Sequence, residues 1–160
     1  MTLRITILNG PNLNLLGTRE PHIYGHTTLA EIETMCSKRA GELGLALTFR
    51  QSNHEGVLVD WIQEAREAAD ALIINPAAYS FRSVALIDAM KALGKPIIEL
   101  HVSNIHARDE LHRHSKLSSA VKGVICGLGP YGYIVAMQAA AQIFNTLPDA
   151  LPAPVRIGPR

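Results

Sequence analysis

The sequence has few cysteines, few charged residues and no long apolar run, and each shortage excludes a class of protein. Cys36 and Cys126 lack the CxxC and Cys/His spacings of zinc sites, which favours two reduced structural thiols. Charged residues make up 18% of the chain and the formal net charge is +1, so no broad field favours nucleic acid or an anionic membrane. The apolar runs fall far short of the roughly eighteen residues that a membrane span requires.

The length of 160 residues suits one domain with a sizeable core. We predict a single domain over residues 1–146 and, at residues 147–160, a poorly ordered tail with four prolines and few anchoring side chains. The N-terminus lacks a signal-peptide pattern, which favours a cytoplasmic protein. Because the net charge is small, local groups must hold any acidic ligand.

The apolar pattern predicts five strands that alternate with helices. The strands are predicted at residues 5–8, 45–50, 71–74, 96–100 and 121–126, and the helices at residues 28–43, 55–69, 78–93 and 133–144. Thr28 and Glu31 form a capping-box pattern, Gly44 suits a helix end, and Trp61 is expected in the core. Strands that are apolar throughout predict a parallel sheet with helices on both faces, a doubly wound α/β domain of the flavodoxin-like strand order.

A long polar loop follows the first strand and carries groups suited to acid and base chemistry. Its glycines and proline prevent regular structure, while its three leucines argue against disorder. Tyr24 suits a base where a guanidinium stabilises the phenolate, and either Arg19 in this loop or Arg108 after the fourth strand supplies one. The alternative is that Tyr24 merely anchors the loop by its ring.

Polar side chains also end the third and fourth strands. Ligands of doubly wound sheets bind beyond the carboxyl ends of the strands, so Asn75, Glu99 and His101 should converge with the first loop. Glu99 and His101 lie two apart on one strand, and a carboxylate beside an imidazole prepares a general acid. Asn12 and Asn75 suit the positioning of a water or the stabilisation of an enolate oxygen. The alternatives are turn capping by the asparagines and a structural histidine.

Other kinds of site find little support. His106, His112 and His114 lack a carboxylate or cysteine at a known ligand spacing, so we expect no metal. The glycines of ICGLGPYGY match a nucleotide-binding turn only in part and follow the wrong strand, so we expect no such cofactor. No lysine maps to the carboxyl end of a strand, which argues against Schiff-base chemistry. The remaining groups suit proton abstraction beside a carbonyl, followed by acid-assisted loss of a leaving group.

Five ordered motifs carry a resemblance that reaches to about Phe144. They are LNGPNLNLLGTREPHIYG, FRQSNHEGVLVDWI, NPAAYSFRSVALIDA, IELHVSNIHARDE and GVICGLGPYGY. In these motifs the chain resembles the type II 3-dehydroquinate dehydratases, small flavodoxin-like lyases of the shikimate and quinate pathways. The resemblance implies conversion of 3-dehydroquinate to 3-dehydroshikimate without cofactor or metal, and assembly as a homo-dodecamer built from trimers.

The resemblance also implies a catalytic role for five residues. Tyr24 would be the base that removes the proton beside the ketone, with Arg19 lowering its pKa. Asn12 would orient the loop. His101 would protonate the departing hydroxyl, with support from Glu99.

Five further residues would bind the substrate by the same resemblance. Asn75 would stabilise the enolate through a water, and the amides near Val102 and Ser103 would bind the substrate carboxylate. Asp88 would reach the site of a neighbouring subunit. His112 would face the substrate at a position where the family has an arginine.

Two departures from the family pattern concern substrate recognition. The chain has NPAAYSFRS where the family usually reads NPGAYTHTS, so Phe81 replaces a histidine and Arg82 a threonine. His112 replaces an arginine, with Arg113 one place later. A site built for a polyol suffers when a hydrogen-bond partner becomes apolar. The sequence therefore leaves open a paralogue that dehydrates a related cyclic hydroxy-ketone, and a catalytically silent small-molecule-binding protein on the same fold.

Overall fold

A computed structural model of the chain describes residues 1–147 and contains a five-stranded parallel sheet. The strands are β1 (Arg4–Asn9), β2 (Ala46–Gln51), β3 (Ala71–Asn75), β4 (Ile97–His101) and β5 (Gly123–Cys126). The α-helices within these residues are α1 (Pro21–Tyr24), α2 (Leu29–Leu43), α3 (Glu55–Ala68), α4 (Val84–Leu93) and α5 (Tyr131–Ile143). The strand order β2-β1-β3-β4-β5 confirms the predicted flavodoxin-like sheet. The predicted tail lies outside the described residues, except for Leu147.

Helices cover both faces of the sheet, each over its own hydrophobic core. On one face α2 and α5 bury Ile32 and Met137, and on the other α3 and α4 bury Leu58 and Leu86. Every residue of β3 and β4 is buried, as their continuous apolar runs predicted. Burial raises the pKa of the Cys36 thiol to about 12, which suits a structural thiol. No helix within residues 1–147 is long and apolar enough to cross a membrane.

The predicted start and end of α2 are confirmed in detail. Thr28 Oγ1 accepts a hydrogen bond from the Glu31 N–H, and the Glu31 carboxylate accepts one from the Thr28 N–H at 2.7 Å. Gly44 ends the helix with a φ of 67°, a conformation that glycine adopts at little cost.

The predicted helix over residues 78–93 is wrong in its first six residues. The chain forms a 3₁₀ helix at Ala77–Phe81, and α4 begins only after Ser83. Ser83 is extended, and its hydroxyl accepts a hydrogen bond from the Leu86 N–H at 3.0 Å, so it caps a new helix. This break places Phe81 at the end of the short 3₁₀ helix that follows β3, rather than within α4.

The two edge strands are less buried than predicted. Residues of β2 and β5 alternate between exposed and half-buried or lie partly in solvent, because one side of each strand has no neighbour. Trp61, which was expected in the core, packs against it but is only half-buried, and the Arg50 guanidinium lies 5.4 Å from its ring centroid. This arrangement suits a tryptophan at the margin of a core beside an edge strand.

The carboxyl ends of the central strands meet closely. Asn9 and Asn75 are paired in the register of β1 and β3, and the Gly10 N–H donates to the Asn75 carbonyl at 2.8 Å. A Cβ atom on Gly10 would lie 2.4 Å from the Pro76 carbonyl oxygen, so only glycine fits there. The loops after β1 and β3 therefore leave the sheet side by side.

Candidate active site

A cavity opens at the carboxyl ends of β1, β3 and β4, where the sequence predicted a site. Of the ten predicted site residues, eight line this cavity, and the two that do not are Glu99 and Asp88. The eight are Asn12, Arg19, Tyr24, Asn75, His101, Val102, Ser103 and His112. Leu13, Leu16, Phe81 and Ile105 add apolar wall. The convergence follows from the strand order, since β1, β3 and β4 are neighbours.

The loop after β1 forms one wall and holds Tyr24 between two guanidinium groups. The guanidinium carbons of Arg19 and Arg108 lie 5.5 Å and 5.4 Å from the centroid of the Tyr24 ring. Arg19 also lies 3.2 Å from the carboxylate of Glu20, a partly exposed pair. Both arginines named from the sequence as partners of Tyr24 are therefore close to its ring.

The first turn of this loop is fixed by a residue from another strand end. Asn12 has a left-handed backbone with φ of 67°, and its N–H donates to Asn53 Oδ1 at 2.9 Å. Gln51 Nε2 donates to the same oxygen, and the Tyr79 hydroxyl donates to the Asn53 carbonyl at 2.7 Å. Asn53 thus links the loops after β1, β2 and β3. Its role was not predicted, because 41 residues separate it from Asn12.

The opposite wall carries His101 above a fully buried Glu99. His101 Nε2 lies 3.2 Å from Glu99 Oε1, an ion-pair distance once the ring is protonated. The same nitrogen has no well-aligned hydrogen-bond partner among residues 1–147. Glu99 itself accepts hydrogen bonds from the hydroxyls of Ser115 and Ser118. Burial raises the pKa of the Glu99 carboxyl, but His101 and the two hydroxyls outweigh burial and bring that pKa below its ordinary value.

Asn75 is anchored from below by a buried tyrosine. Its Nδ2 donates to the Tyr133 hydroxyl at 3.1 Å, and that hydroxyl donates to Asn9 Oδ1 at 2.6 Å. Burial raises the pKa of Tyr133 well above its ordinary value, so the phenol stays protonated and keeps this donor. No role for Tyr133 was predicted from the sequence, since 124 residues separate it from Asn9.

The start of the loop after β4 offers main-chain donors. Among residues 1–147, neither the Val102 N–H nor the Ser103 N–H donates to a main-chain carbonyl. The Val102 carbonyl is held by the Gly129 N–H at 3.0 Å. Both residues line the cavity, so their N–H groups can meet an anionic oxygen of a ligand.

Phe81 and His112 form the wall where the chain departs from the family pattern. The Phe81 ring lies 6.4 Å from the His101 ring and 5.5 Å, edge to face, from the His112 ring. His112 Nδ1 lies 2.9 Å from both carboxylate oxygens of Asp109, and this contact lowers the pKa of Asp109 below its ordinary value. Phe81 therefore places a hydrocarbon ring between the two imidazoles.

The arginines next to Phe81 and His112 do not add a polar group to this wall of the cavity. Arg82 is exposed and does not line the cavity. Arg113 donates from Nε and Nη2 to the Arg108 carbonyl at 3.1 Å and 2.8 Å, and it also lies outside the cavity lining. Asp88 lies on the exposed face of α4 and contributes nothing to the cavity within this chain.

The histidines after β4 form pairs rather than a cluster. His112 contacts Asp109, and His114 Nε2 lies 3.1 Å from a Glu110 oxygen. Two histidines therefore have a carboxylate partner that was not predicted from their spacing in the sequence. Within residues 1–147 no group of three or more histidine, cysteine, aspartate or glutamate side chains is arranged to hold a metal ion.

The chain is similar to proteins of one well-defined family. A family model described as dehydroquinase class II matches residues 3–141. The 3-dehydroquinate dehydratase 1 of Agrobacterium fabrum is 55% identical over 139 residues, which cover 87% of this chain and 96% of that protein. The 3-dehydroquinate dehydratase of Rhizobium meliloti is 57% identical over 139 residues, with 87% and 94% covered. The crystal structure of type II dehydroquinase from Butyrivibrio crossotus matches with a TM-score of 0.86 at 37% identity, covering 87% of this chain and 97% of that one.

Proposed function

The chain belongs to the class II dehydroquinase family, and from this premise we propose that it dehydrates 3-dehydroquinate to 3-dehydroshikimate with Tyr24 as base and His101 as acid. The observation that carries this proposal is that one cavity brings Tyr24 and His101 together from opposite walls. The reaction removes a proton beside the ketone, passes through an enolate and expels a hydroxyl as water. It needs a base and an acid on two sides of the substrate.

The base is Tyr24 in its phenolate form. A phenol titrates near pH 10, too high for a base at neutral pH without a nearby positive charge. The guanidinium carbons of Arg19 and Arg108, each within 5.5 Å of the ring centroid, place two positive charges beside the ring. Asn12 orients the loop that carries Tyr24 through its left-handed turn.

The enolate forms on the side of Asn75. Its Nδ2 is committed to Tyr133, so the amide plane is held in one orientation at the cavity edge. A water held by this amide stabilises the enolate oxygen without adding a charge to the site.

The acid is His101 in its imidazolium form. The Glu99 carboxylate lies beneath it, and His101 Nε2 and Glu99 Oε1 are at ion-pair distance in a buried setting. The ring transfers its proton to the departing hydroxyl, which leaves as water. The N–H groups of Val102 and Ser103 bind the substrate carboxylate, and His112 faces the substrate from the third side.

The wider organisation belongs to the same proposal. Residues 1–146 act as a single catalytic domain of a cytoplasmic enzyme in aromatic amino acid biosynthesis or quinate metabolism. The subunits assemble as a homo-dodecamer built from trimers, in which the exposed Asp88 reaches the cavity of a neighbouring subunit. Size-exclusion chromatography with light scattering tests the assembly, and a monomer would contradict it.

A direct assay of the conjugated product tests the proposed reaction. Ultraviolet absorbance of the purified protein with 3-dehydroquinate should rise with time, and Tyr24→Phe should lower kcat by about a hundredfold or more because the base is lost. Tyr131→Phe makes the same chemical change on a tyrosine that is 59% exposed and outside the cavity lining, and should leave kcat unchanged. Absence of product from the wild-type protein at millimolar substrate would overturn the proposal.

Phe81 favours a second candidate function. Its ring occupies the cavity wall between two imidazoles, and neither Arg82 nor Arg113 lines the cavity. A less polar wall suits a related cyclic hydroxy-ketone that lacks one hydroxyl at this position. A preference for such a ketone over 3-dehydroquinate in kcat/KM would support this second function. A catalytically silent binding protein on the same fold is excluded if Tyr24→Phe abolishes turnover in a correctly folded protein.

A further inference from the structure

Two serines bind the Glu99 carboxylate beneath His101, and neither has a role in the proposed reaction. Ser115 donates to one oxygen of Glu99 and Ser118 donates to the other. Both lie in the segment after β4, 16 and 19 residues beyond Glu99. No other side-chain donor reaches these oxygens among residues 1–147 apart from His101.

We propose that Ser115 and Ser118 are positioning residues that keep Glu99 ionised and aimed at His101, and that they thereby set the pH range in which His101 is a protonated acid. This inference rests on the proposed function, in which the His101 imidazolium is the acid. The serines touch neither the cavity nor the reacting atoms, so they act through Glu99.

The physical argument begins with the cost of a buried carboxylate. Glu99 is fully buried, and burial without partners drives a carboxyl toward its neutral form, with pKa values of about 8 to 9 documented for buried glutamates. A carboxyl in that state would take the proton that His101 needs. Two hydroxyl donors, one on each oxygen, favour the ionised form because a carboxylate accepts at both oxygens.

The segment that carries the serines is itself fixed. The Lys116 N–H donates to the Ser80 carbonyl at 2.8 Å, and Leu117 is fully buried in the core under α4. A short 3₁₀ helix, Leu117–Ala120, then turns Ser118 toward the sheet. The hydroxyls are therefore presented by a packed element and not by a free loop.

Other charged groups near the pair do not replace the serines. From β3 the neighbour of Glu99 is Ile74, and from β5 the neighbours of Glu99 and His101 are Val124 and Cys126. Lys116 on the serine segment is exposed. The ionisable groups that face His101 across the cavity are Tyr24, Arg19, Arg108 and His112, with Asp109 behind His112.

An NMR titration of the His101 imidazole tests the inference without relying on turnover. In the Ser115→Ala/Ser118→Ala protein the ring should lose its proton at least about one pH unit lower than in the wild type, because the proton passes to Glu99. The alkaline limb of the kcat/KM profile should move in the same direction. If the serines only pack the core, their removal would lower stability or activity at every pH. It would shift neither the His101 titration nor the alkaline limb of the kcat/KM profile.

Matched variants separate the hydroxyls from other effects. Ser119→Ala removes a hydroxyl on the same segment that donates to the Lys116 carbonyl, and it should leave the His101 titration unchanged. Ser118→Thr keeps a hydroxyl donor and should retain the wild-type titration. In a Glu99→Gln background the serine substitutions should have no further effect, since the group through which they act is already neutral.

The outcomes distinguish this inference from the proposed function. A His101 titration in the folded double variant that stays within about 0.3 pH unit of the wild type overturns the role of the serines, even where Tyr24-dependent dehydration is observed. If the double variant does not fold, the single variants Ser115→Ala and Ser118→Ala are titrated, and the absence of a shift in both has the same meaning. A shifted titration in a protein without dehydratase activity would overturn the proposed function and leave the Ser–Glu–His coupling standing.

Discussion

Replacement of Tyr133 by phenylalanine should cost more stability than its single lost oxygen suggests. The hydroxyl donates to Asn9 Oδ1 at 2.6 Å and accepts from Asn75 Nδ2 at 3.1 Å. All three side chains are almost wholly shielded from solvent. Tyr133→Phe therefore keeps the ring in the core and removes the partner of one buried acceptor and one buried donor.

The magnitude follows from these two groups. A buried polar group left without a partner costs about 1 to 3 kcal/mol, so two such groups together should lower the free energy of unfolding by about 3 kcal/mol. For a chain of this length that corresponds to a fall in Tm of about 6 to 12 °C. Asn9 keeps one hydrogen bond, from Nδ2 to the Arg50 carbonyl at 3.0 Å, which holds the loss below the upper end of the range.

Chemical and thermal denaturation followed by circular dichroism measure this loss. Tyr79→Phe is the matched control, because the Tyr79 hydroxyl donates to the Asn53 carbonyl at 2.7 Å near the surface, where water can replace it. That control should lose about 1 kcal/mol or less. If Tyr133→Phe proves no more damaging than Tyr79→Phe, the hydroxyl does not hold the asparagine pair and the reasoning fails.

Two further changes test the cavity wall and the rim of the sheet. Phe81→His should raise kcat/KM on 3-dehydroquinate about tenfold if the wall lacks a hydrogen-bond partner, with Phe81→Leu as the apolar control, and a fall would count against an altered substrate preference. Asp70→Asn should cost about 1 kcal/mol near pH 7, because Asp70 binds both the guanidinium and the N–H of Arg4 at 2.8 Å. The hydrogen bond from Arg4 lowers the folded-state pKa of Asp70, so this contribution is present above the unfolded pKa of about 3.9 and is lost as the pH falls through the folded value. Urea denaturation should therefore show a larger difference between wild type and Asp70→Asn at pH 7 than at pH 3, while Glu42→Gln, in the exposed pair with Arg39, should show little at either.

The features predicted correctly from the sequence are those that depend on local pattern or on strand order. Apolar strands indicated a parallel sheet, and the strand order then placed Asn75, Glu99 and His101 at one edge without knowledge of any contact. The break before α4 was missed because residues 78–93 keep helical apolar spacing across Ser83, and only the cap hydrogen bond shows that the serine starts a new helix. Trp61 packs against the core but stays half-buried, which was not predicted because helical spacing does not reveal that its neighbour is an edge strand.

The supporting groups of the cavity could not be predicted for a different reason. Tyr133 and Ser118 are joined to their partners only by the way that α5 and the segment after β4 pack on the sheet. Serine near a helix start usually has a local role, and a tyrosine at such a position gives no indication of a distant amide partner. Such partners can be identified only from the structure, where each buried donor and acceptor has a specific partner.

The two walls of the cavity are built in opposite ways, and this difference follows from the chemistry assigned to them. Tyr24 is half-buried on a four-residue helix between Glu20, with a left-handed φ of 41°, and Gly25, with a φ of 80°. Its ring is flanked by two guanidinium groups and packs at the margin of the core under α2 and α5. His101 instead ends a fully buried strand above a carboxylate whose charge needs three fixed partners. The proposed base therefore lies on a half-buried loop, while the proposed acid lies on the wall where any movement would leave a buried charge unpaired.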